Sequence, residues 1–193
     1  QDWGRSQEAV PVTEIAMGRI VPTPFIAKGE VAFKETTEVV LSCVEKDVNI
    51  FYNLNQTGFV LYEKPIVIDS ESVLEVYGER DGKKSSTLST RFYKIDPNLS
   101  IVLETEYANQ YSAGGNDALI DGITGAKDFR TGAWQGYHNT DVVATVSVGS
   151  LKNIEEVKVN FLQDQRSWIF YPTRVECYIS EDGVRFTKIG EMS

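Results

Sequence analysis

The chain has 193 residues, of which 41% are hydrophobic and 24% charged, the proportions of a globular protein able to bury a core. Its 28 acidic and 19 basic residues leave a formal net charge of −9. That balance disfavours nucleic acid, anionic lipid and sulfated polysaccharide, which are bound through basic patches. No run approaches the roughly 20 apolar residues of a membrane-spanning helix, so membrane insertion is not expected.

Residues 1–24 carry scattered apolar positions and end in Pro22-Thr23-Pro24, which predicts an extended lead-in or linker with no regular core of its own. The first residues, Gln1-Asp2-Trp3-Gly4-Arg5, show neither a basic n-region nor an apolar h-region and read as a piece cut from a longer protein. From Phe25 the pattern is short strands between turn signals. Thr37 to Cys43 alternates, followed by Val48 to Tyr52, Pro65 to Ile68, Val73 to Tyr77 and Thr90 to Ile95, with an Asp81-Gly82 turn before the last run. This spacing predicts an antiparallel, immunoglobulin-like sandwich over 25–96, bounded near Asp96-Pro97-Asn98.

Residues 107–140 are rich in Gly, Asn, Asp and aromatics, which predicts a long loop with a short helical turn at Asp117 to Ile120. Strand patterns then resume. Val142, Ala144, Val146 and Val148 share one face, as do Val157, Val159 and Phe161, and then Val175, Cys177 and Ile179; Ser180-Glu181-Asp182-Gly183 turns the chain into a last strand. The expectation is an all-β chain whose second module, 97–193, is a jelly roll with four or five of the eight strands such a fold needs. It therefore reads as either incomplete or a shortened variant; an incomplete sheet would leave an edge open to association with another chain.

Single residues narrow the chemistry. There is one histidine, His138, and two cysteines, Cys43 and Cys177, each in phase with apolar neighbours as a buried, inert thiol would be. The carboxylate pairs Glu155-Glu156 and Glu104/Glu106 fall on strand edges or solvated faces. No catalytic residue is expected.

Several runs carry a family resemblance. Asn109-Gln110-Tyr111-Ser112-Ala113-Gly114-Gly115, Ala118-Leu119-Ile120-Asp121-Gly122, Trp134-Gln135-Gly136-Tyr137, Phe161-Leu162-Gln163-Asp164, Ser167-Trp168-Ile169-Phe170-Tyr171-Pro172 and Ser180-Glu181-Asp182-Gly183 make residues 107–193 resemble the discoidin, or factor V/VIII C-type, domains. That family includes carbohydrate-binding modules. Residues 25–96 resemble the chitobiase/hexosaminidase C-terminal module through Ile50-Phe51-Tyr52-Asn53-Leu54-Asn55-Gln56-Thr57, Leu61 to Ile66 and Gly78 to Ser85, although Asn55-Gln56 stands where that family carries Asp-Gly. The tandem is similar to the non-catalytic C-terminal region of secreted glycoside hydrolases of Bacteroidetes, family 92 α-mannosidases or family 20 β-hexosaminidases being the parents implied.

The resemblance implies a secreted, periplasmic or cell-surface location, with a neutral glycan or the parent's catalytic domain as partner. The alternative is a purely structural, protein-interaction or adhesion module without a sugar site. Glycan recognition combines aromatic faces with a few fixed polar groups. The candidates are Tyr137, His138, Asn139, Arg166 and Trp168, with Tyr107, Tyr111 and Trp134 behind them; the family-typical runs around Trp134 and Trp168 favour packing roles for both indoles. The resemblance also implies a structural calcium, for which Asn116, Asp117, Asp121 and Thr124 are the oxygen ligands to consider; the plainer reading makes Asp121-Gly122 only a turn.

Overall fold

The computed structural model describes residues 20–193, and the lead-in expected over residues 1–19 lies outside them. The chain is all-β: among the described residues helix is confined to single turns at Asn109–Tyr111, Gly115–Asp117, Phe129–Thr131 and Gln165–Ser167. The first half supplies β1 (Phe25–Lys28), β2 (Ala32–Phe33), β3 (Thr37–Ser42), β4 (Asn49–Leu54) and β5 (Val60–Leu61). It continues with β6 (Ile66–Ile68), β7 (Ser72–Arg80), β8 (Lys83–Lys84) and β9 (Leu88–Lys94).

These strands make two facing sheets. One has the order β1-β3-β6, and the other β2-β9-β7-β4-β5, with β8 paired to β7. All pairings are antiparallel except β2 with β9. Alternation places Val39 and Leu41 of β3 and Ile66 and Ile68 of β6 against Leu74 and Val76 of β7 and Phe92 of β9, with Phe33 closing one end. Each strand is apolar on one face only, so two sheets must meet to cover those faces. Tyr62 links the two layers: its hydroxyl accepts the Leu41 N–H at 3.1 Å and its ring meets Tyr52 edge-on.

Arg80 closes the end of the sandwich. Only 7% of its side chain is exposed, and it donates to the Glu45 carboxylate, to Asp47 at 3.3 Å and to the Ile20 carbonyl at 3.2 Å. One guanidinium thus holds the β3–β4 turn and the incoming segment to β7, and the Glu45 carboxylate raises its pKa further. Gly78 is required beside it: a Cβ there would lie 2.6 Å from Val48 Cγ1 and 2.9 Å from the Pro22 carbonyl.

The β4–β5 turn shows how the chain dispenses with Asp-Gly. Asn55 and Gln56 both adopt left-handed backbone, φ 53° and 61°, the conformation of the hairpin turn that favours Asn-Gly and Asp-Gly. The Asn55 side chain holds it by accepting the Val73 N–H at 2.9 Å and donating to Ser72 Oγ at 3.2 Å.

At Asp96-Pro97-Asn98 the Asp96 carboxylate accepts the Asn98 N–H at 2.9 Å, and the chain leaves β9 for the second half. There β10 (Ser100–Leu103) pairs with β11 (Ala144–Ser147), and β12 (Val175–Ile179) with β13 (Thr187–Met192), each a two-stranded antiparallel ladder. The helical turn expected at Asp117 to Ile120 forms earlier, at Gly115–Asp117.

The run Val157, Val159, Phe161 is a correction. Its alternation predicts a strand, but residues 151–163 join no ladder. A strand needs a neighbour for its backbone groups, and no described segment hydrogen-bonds to this one. Asp121 is the one buried residue between 99 and 193, and neither cysteine is buried: Cys43 and Cys177 are both half-buried free thiols.

The β12–β13 ladder is pinned on one face by ions. Lys188 and Arg174 both bond Glu176, and both also reach Glu191. The Lys188 and then the Arg174 hydrogen bonds hold the Glu176 carboxyl down to about 2, from an ordinary 4.5. A carboxylate depressed on folding stabilises the fold above its unfolded pKa and loses that contribution as pH falls toward the folded value. Glu176→Gln is therefore expected to lower thermal stability at pH 7 and to match the parent near pH 2, as read by denaturation across that range.

Candidate functional site

The loop of residues 107–140 is organised by aromatic rings laid against glycines. Trp134 packs on Gly125 so closely that a Cβ there would sit 2.3 Å from its Cε2, and its indole N–H donates to the Ala126 carbonyl at 2.6 Å. Tyr111 packs on Gly136 in the same way, with a would-be Cβ 2.8 Å from its own, and meets Phe129 edge-on at 5.9 Å. The Tyr107 hydroxyl donates to Asn116 Oδ1 at 3.1 Å, and Gln135 Nε2 donates to the Gly115 carbonyl at 2.8 Å. Glycine is needed here because any side chain would displace the ring above it. The packing role expected of Trp134 is what this geometry gives it.

Trp168 is different, and corrects the expectation of a packed indole. It is 83% exposed, with Phe170 against it, edge-on at 6.4 Å. The turn beneath it is built by Asp164, whose carboxylate accepts the Arg166 N–H at 3.2 Å and the Ser167 hydroxyl at 2.7 Å. The Asp164 and Ile169 backbones pair as an isolated bridge, and Trp168 itself takes left-handed backbone, φ 59°. A bulky residue in that region is uncommon and costs conformational energy, which the surrounding turn must hold. The result is a fixed backbone presenting a free indole to solvent, with Phe170 and Tyr171 also exposed beside it in sequence.

The remaining glycan candidates are distributed. Tyr137 is half-buried and donates its hydroxyl to Gln135 Oε1 at 2.6 Å, while His138 and Asn139 are exposed and Asn139 has φ 53°. Burial raises the Tyr137 pKa, so the phenol stays a neutral donor. Arg166 is exposed on the Asp164 turn. No hydrogen bond, ion pair or ring contact joins 137–139 to the 164–168 turn among the described residues. The structure thus groups Arg166 with Trp168 and leaves Tyr137, His138 and Asn139 as a separate loop. Phe170 is the addition: its ring meets Trp168 edge-on at 6.4 Å because the left-handed turn at residue 168 folds the chain there, a backbone feature the sequence pattern does not show.

Three of the four oxygen residues considered for calcium are engaged with other groups of the chain. Asp117 forms an ion pair with Lys34 of the sandwich at 2.8 Å, Asn116 takes the Tyr107 hydroxyl, and Thr124 is exposed. Asp121 is 5% exposed and accepts the Ile123 N–H at 2.7 Å. Burial, together with the nearby Asp117 charge, raises its pKa. Calcium takes six to eight oxygens, and among the described residues no group of three or more His, Cys, Asp or Glu converges. This arrangement does not make a calcium cage; Lys34 is the cation that answers Asp117.

Two shallow hollows of about 400 and 600 Å³ lie on the sandwich, the first beside Ile20 to Thr23 and β8, the second between Tyr52, Leu54, Val60 and Ile66. No carboxylate lines either. On the outer face of the sandwich Phe51 and Phe59 pack on Tyr77 at 5.3 and 4.8 Å, with Lys84 over the same ring at 4.5 Å. Tyr77 is buried by them, so this cluster serves packing.

No protein-family model matches the chain, and no curated protein matches it.

Gly125→Ala is expected to cost about 1–3 kcal/mol, since the indole must move and give up its bond to Ala126; denaturation followed by tryptophan fluorescence reads both effects. Asp121→Asn keeps the acceptor for Ile123 and removes a buried charge. A carboxyl raised on folding penalises the fold above its unfolded pKa of about 3.8 and costs nothing below it. The variant should therefore be at least as stable as the parent at pH 7, the advantage vanishing below pH 4. Millimolar calcium should not change that ranking; a calcium-dependent loss of stability in Asp121→Asn, measured by thermal melts, contradicts the present arrangement.

Proposed function

We propose that the chain is a non-catalytic accessory region of a secreted or cell-surface glycoside hydrolase, in which the sandwich acts as spacer and brace and the second module engages neutral glycans. The observation that carries this reading is the free Trp168 indole, held on a hydrogen-bonded turn next to Phe170. Pyranose rings offer a flat C–H face that stacks on such aromatics, while a few polar groups read the hydroxyls. Arg166 supplies exposed donors on the same turn. The net charge of −9 disfavours sulfated or uronic polymers and leaves neutral glycans as the fitting class.

The resemblance to the discoidin and chitobiase C-terminal modules supports the same reading, with the protein placed by this proposal outside the cytoplasm as a piece of a larger enzyme. No reaction is assigned to these residues. A second reading, a structural or protein-interaction module, is favoured by a specific observation: Val142, Val143, Leu151, Val157, Val159 and Phe161 are all solvent-exposed, more apolar surface than a free-standing module usually leaves.

A neutral-glycan array followed by titration calorimetry separates the two. Binding should fall about thirtyfold or more in Trp168→Ala, with unchanged far-ultraviolet circular dichroism, because the indole is 83% exposed. A silent array, or binding indifferent to Trp168, supports the interaction reading instead.

A further inference from the structure

Three Asp-Gly pairs occur in the chain, Asp81-Gly82, Asp121-Gly122 and Asp182-Gly183, and each lies between strands. Such a pair carries its own chemistry. The glycine nitrogen can attack the aspartate side-chain carbon Cγ, because no Cβ on the glycine hinders the approach. The N–Cγ bond forms, the Cγ–OH bond breaks, and the amide proton leaves with that hydroxyl as water, giving a five-membered succinimide. Water then reopens the ring. Cleavage at Cγ restores aspartate, whereas cleavage at the α-carbonyl carbon routes the backbone through the side chain as isoaspartate. The reaction needs an uncharged, accessible carboxyl, a glycine N–H without an acceptor, and room for the backbone to turn into the ring.

Asp182-Gly183 lacks the first two. The Asp182 carboxylate accepts the Arg185 and Val184 N–H groups, both at 2.8 Å, and the Ser180 hydroxyl at 3.0 Å. These bonds hold it below the usual carboxylate range, in the charged form that has no hydroxyl to lose. The Gly183 N–H is itself bonded to Ser180 Oγ at 2.9 Å. Asp121-Gly122 is blocked differently. Burial favours the neutral carboxyl there, but the residue is 5% exposed and its carboxyl accepts the Ile123 N–H at 2.7 Å. Tyr93 backs Gly122, 3.6 Å from where a Cβ would stand.

Asp81-Gly82 meets every requirement. Both residues are exposed, and among the described residues neither the Asp81 carboxylate nor the Gly82 N–H has a hydrogen-bond partner. Nothing lies within 4 Å of a Cβ position at Gly82. The pair connects β7 to β8, and β8 is only Lys83–Lys84, both exposed. An edge held by so few buried contacts opens locally at little cost, which frees the tip to rotate.

We infer that Asp81-Gly82 is a site of spontaneous covalent modification, converting to isoaspartate through the succinimide in the folded chain while Asp121 and Asp182 are protected. The isoaspartyl connection is one backbone carbon longer than the two-residue turn that pairs Arg80 with Lys83. Conversion therefore detaches β8 and withdraws Lys84 from the Tyr77 ring, over which it lies at 4.5 Å. The inference stands independently of the glycan reading, since Trp168 takes no part in it.

Ageing the folded chain in neutral buffer, beside the same chain unfolded in guanidinium chloride, tests it without any substitution. Isoaspartate is mapped peptide by peptide, by methyl transfer from S-adenosylmethionine with an isoaspartyl methyltransferase. Water enriched in oxygen-18 marks each reopened ring. In the folded chain Asp81 should convert about tenfold or more faster than Asp121 or Asp182. Unfolded, the three should convert within about threefold of one another. A folded chain without isoaspartate at 81, when the unfolded chain forms it, overturns the inference. So does folded conversion at 121 or 182 that matches Asp81, or the same preference for 81 in the unfolded chain, which places the selectivity in local sequence.

Discussion

A β-strand has two faces and two edges, and the fold depends on whether each finds cover. In the first half both conditions are met. Val39, Leu41, Ile66 and Ile68 of one sheet face Leu74, Val76 and Phe92 of the other, and each fully buried aliphatic or aromatic side chain contributes about 1.5–3 kcal/mol through area removed from water. Arg80 then fastens the sandwich at its end, where Glu45, Asp47 and the Ile20 carbonyl converge on one guanidinium. In the second half two separate ladders form, and among the described residues no opposing sheet covers their apolar faces.

That difference changes what holds each half in shape. The sandwich relies on dispersion and the hydrophobic effect. The second half relies on local devices: aromatic rings seated on Gly125 and Gly136, carboxylates such as Asp128 and Asp164 accepting nearby backbone N–H groups, and the Glu176 ion cluster. Devices of this kind fix individual turns well. They do not bury much surface, and solvent screens the exposed ion pairs among them. The contacts between the halves are of the same modest type, the Lys34–Asp117 pair being the clearest.

The free Trp168 indole follows from this local construction. Left-handed backbone at residue 168 and the Asp164 hydrogen bonds turn the side chain away from the chain's own apolar residues. Trp134, in a similarly aromatic neighbourhood, is instead drawn onto Gly125 because the glycine leaves room for it. Two tryptophans in comparable sequence settings thus end in opposite environments, one packed and one presented to solvent.

The sequence by itself determined the all-β class and most strands of the sandwich, because a period of two in apolar residues is a local property and β3, β4, β6, β7 and β9 each display it. It also exposed the Gly-rich aromatic loop and the two acidic turns at Asp121 and Asp182. What it did not contain was whether each pattern finds a partner. Val157, Val159 and Phe161 alternate as well as any strand in the sandwich, yet residues 151–163 pair with nothing in the described chain. Likewise the short strands β1, β2, β5, β8 and β10 are created by their neighbours more than by their own composition. Pairing, burial and the exposure of Trp168 are relations between distant segments, and only the tertiary structure decides them.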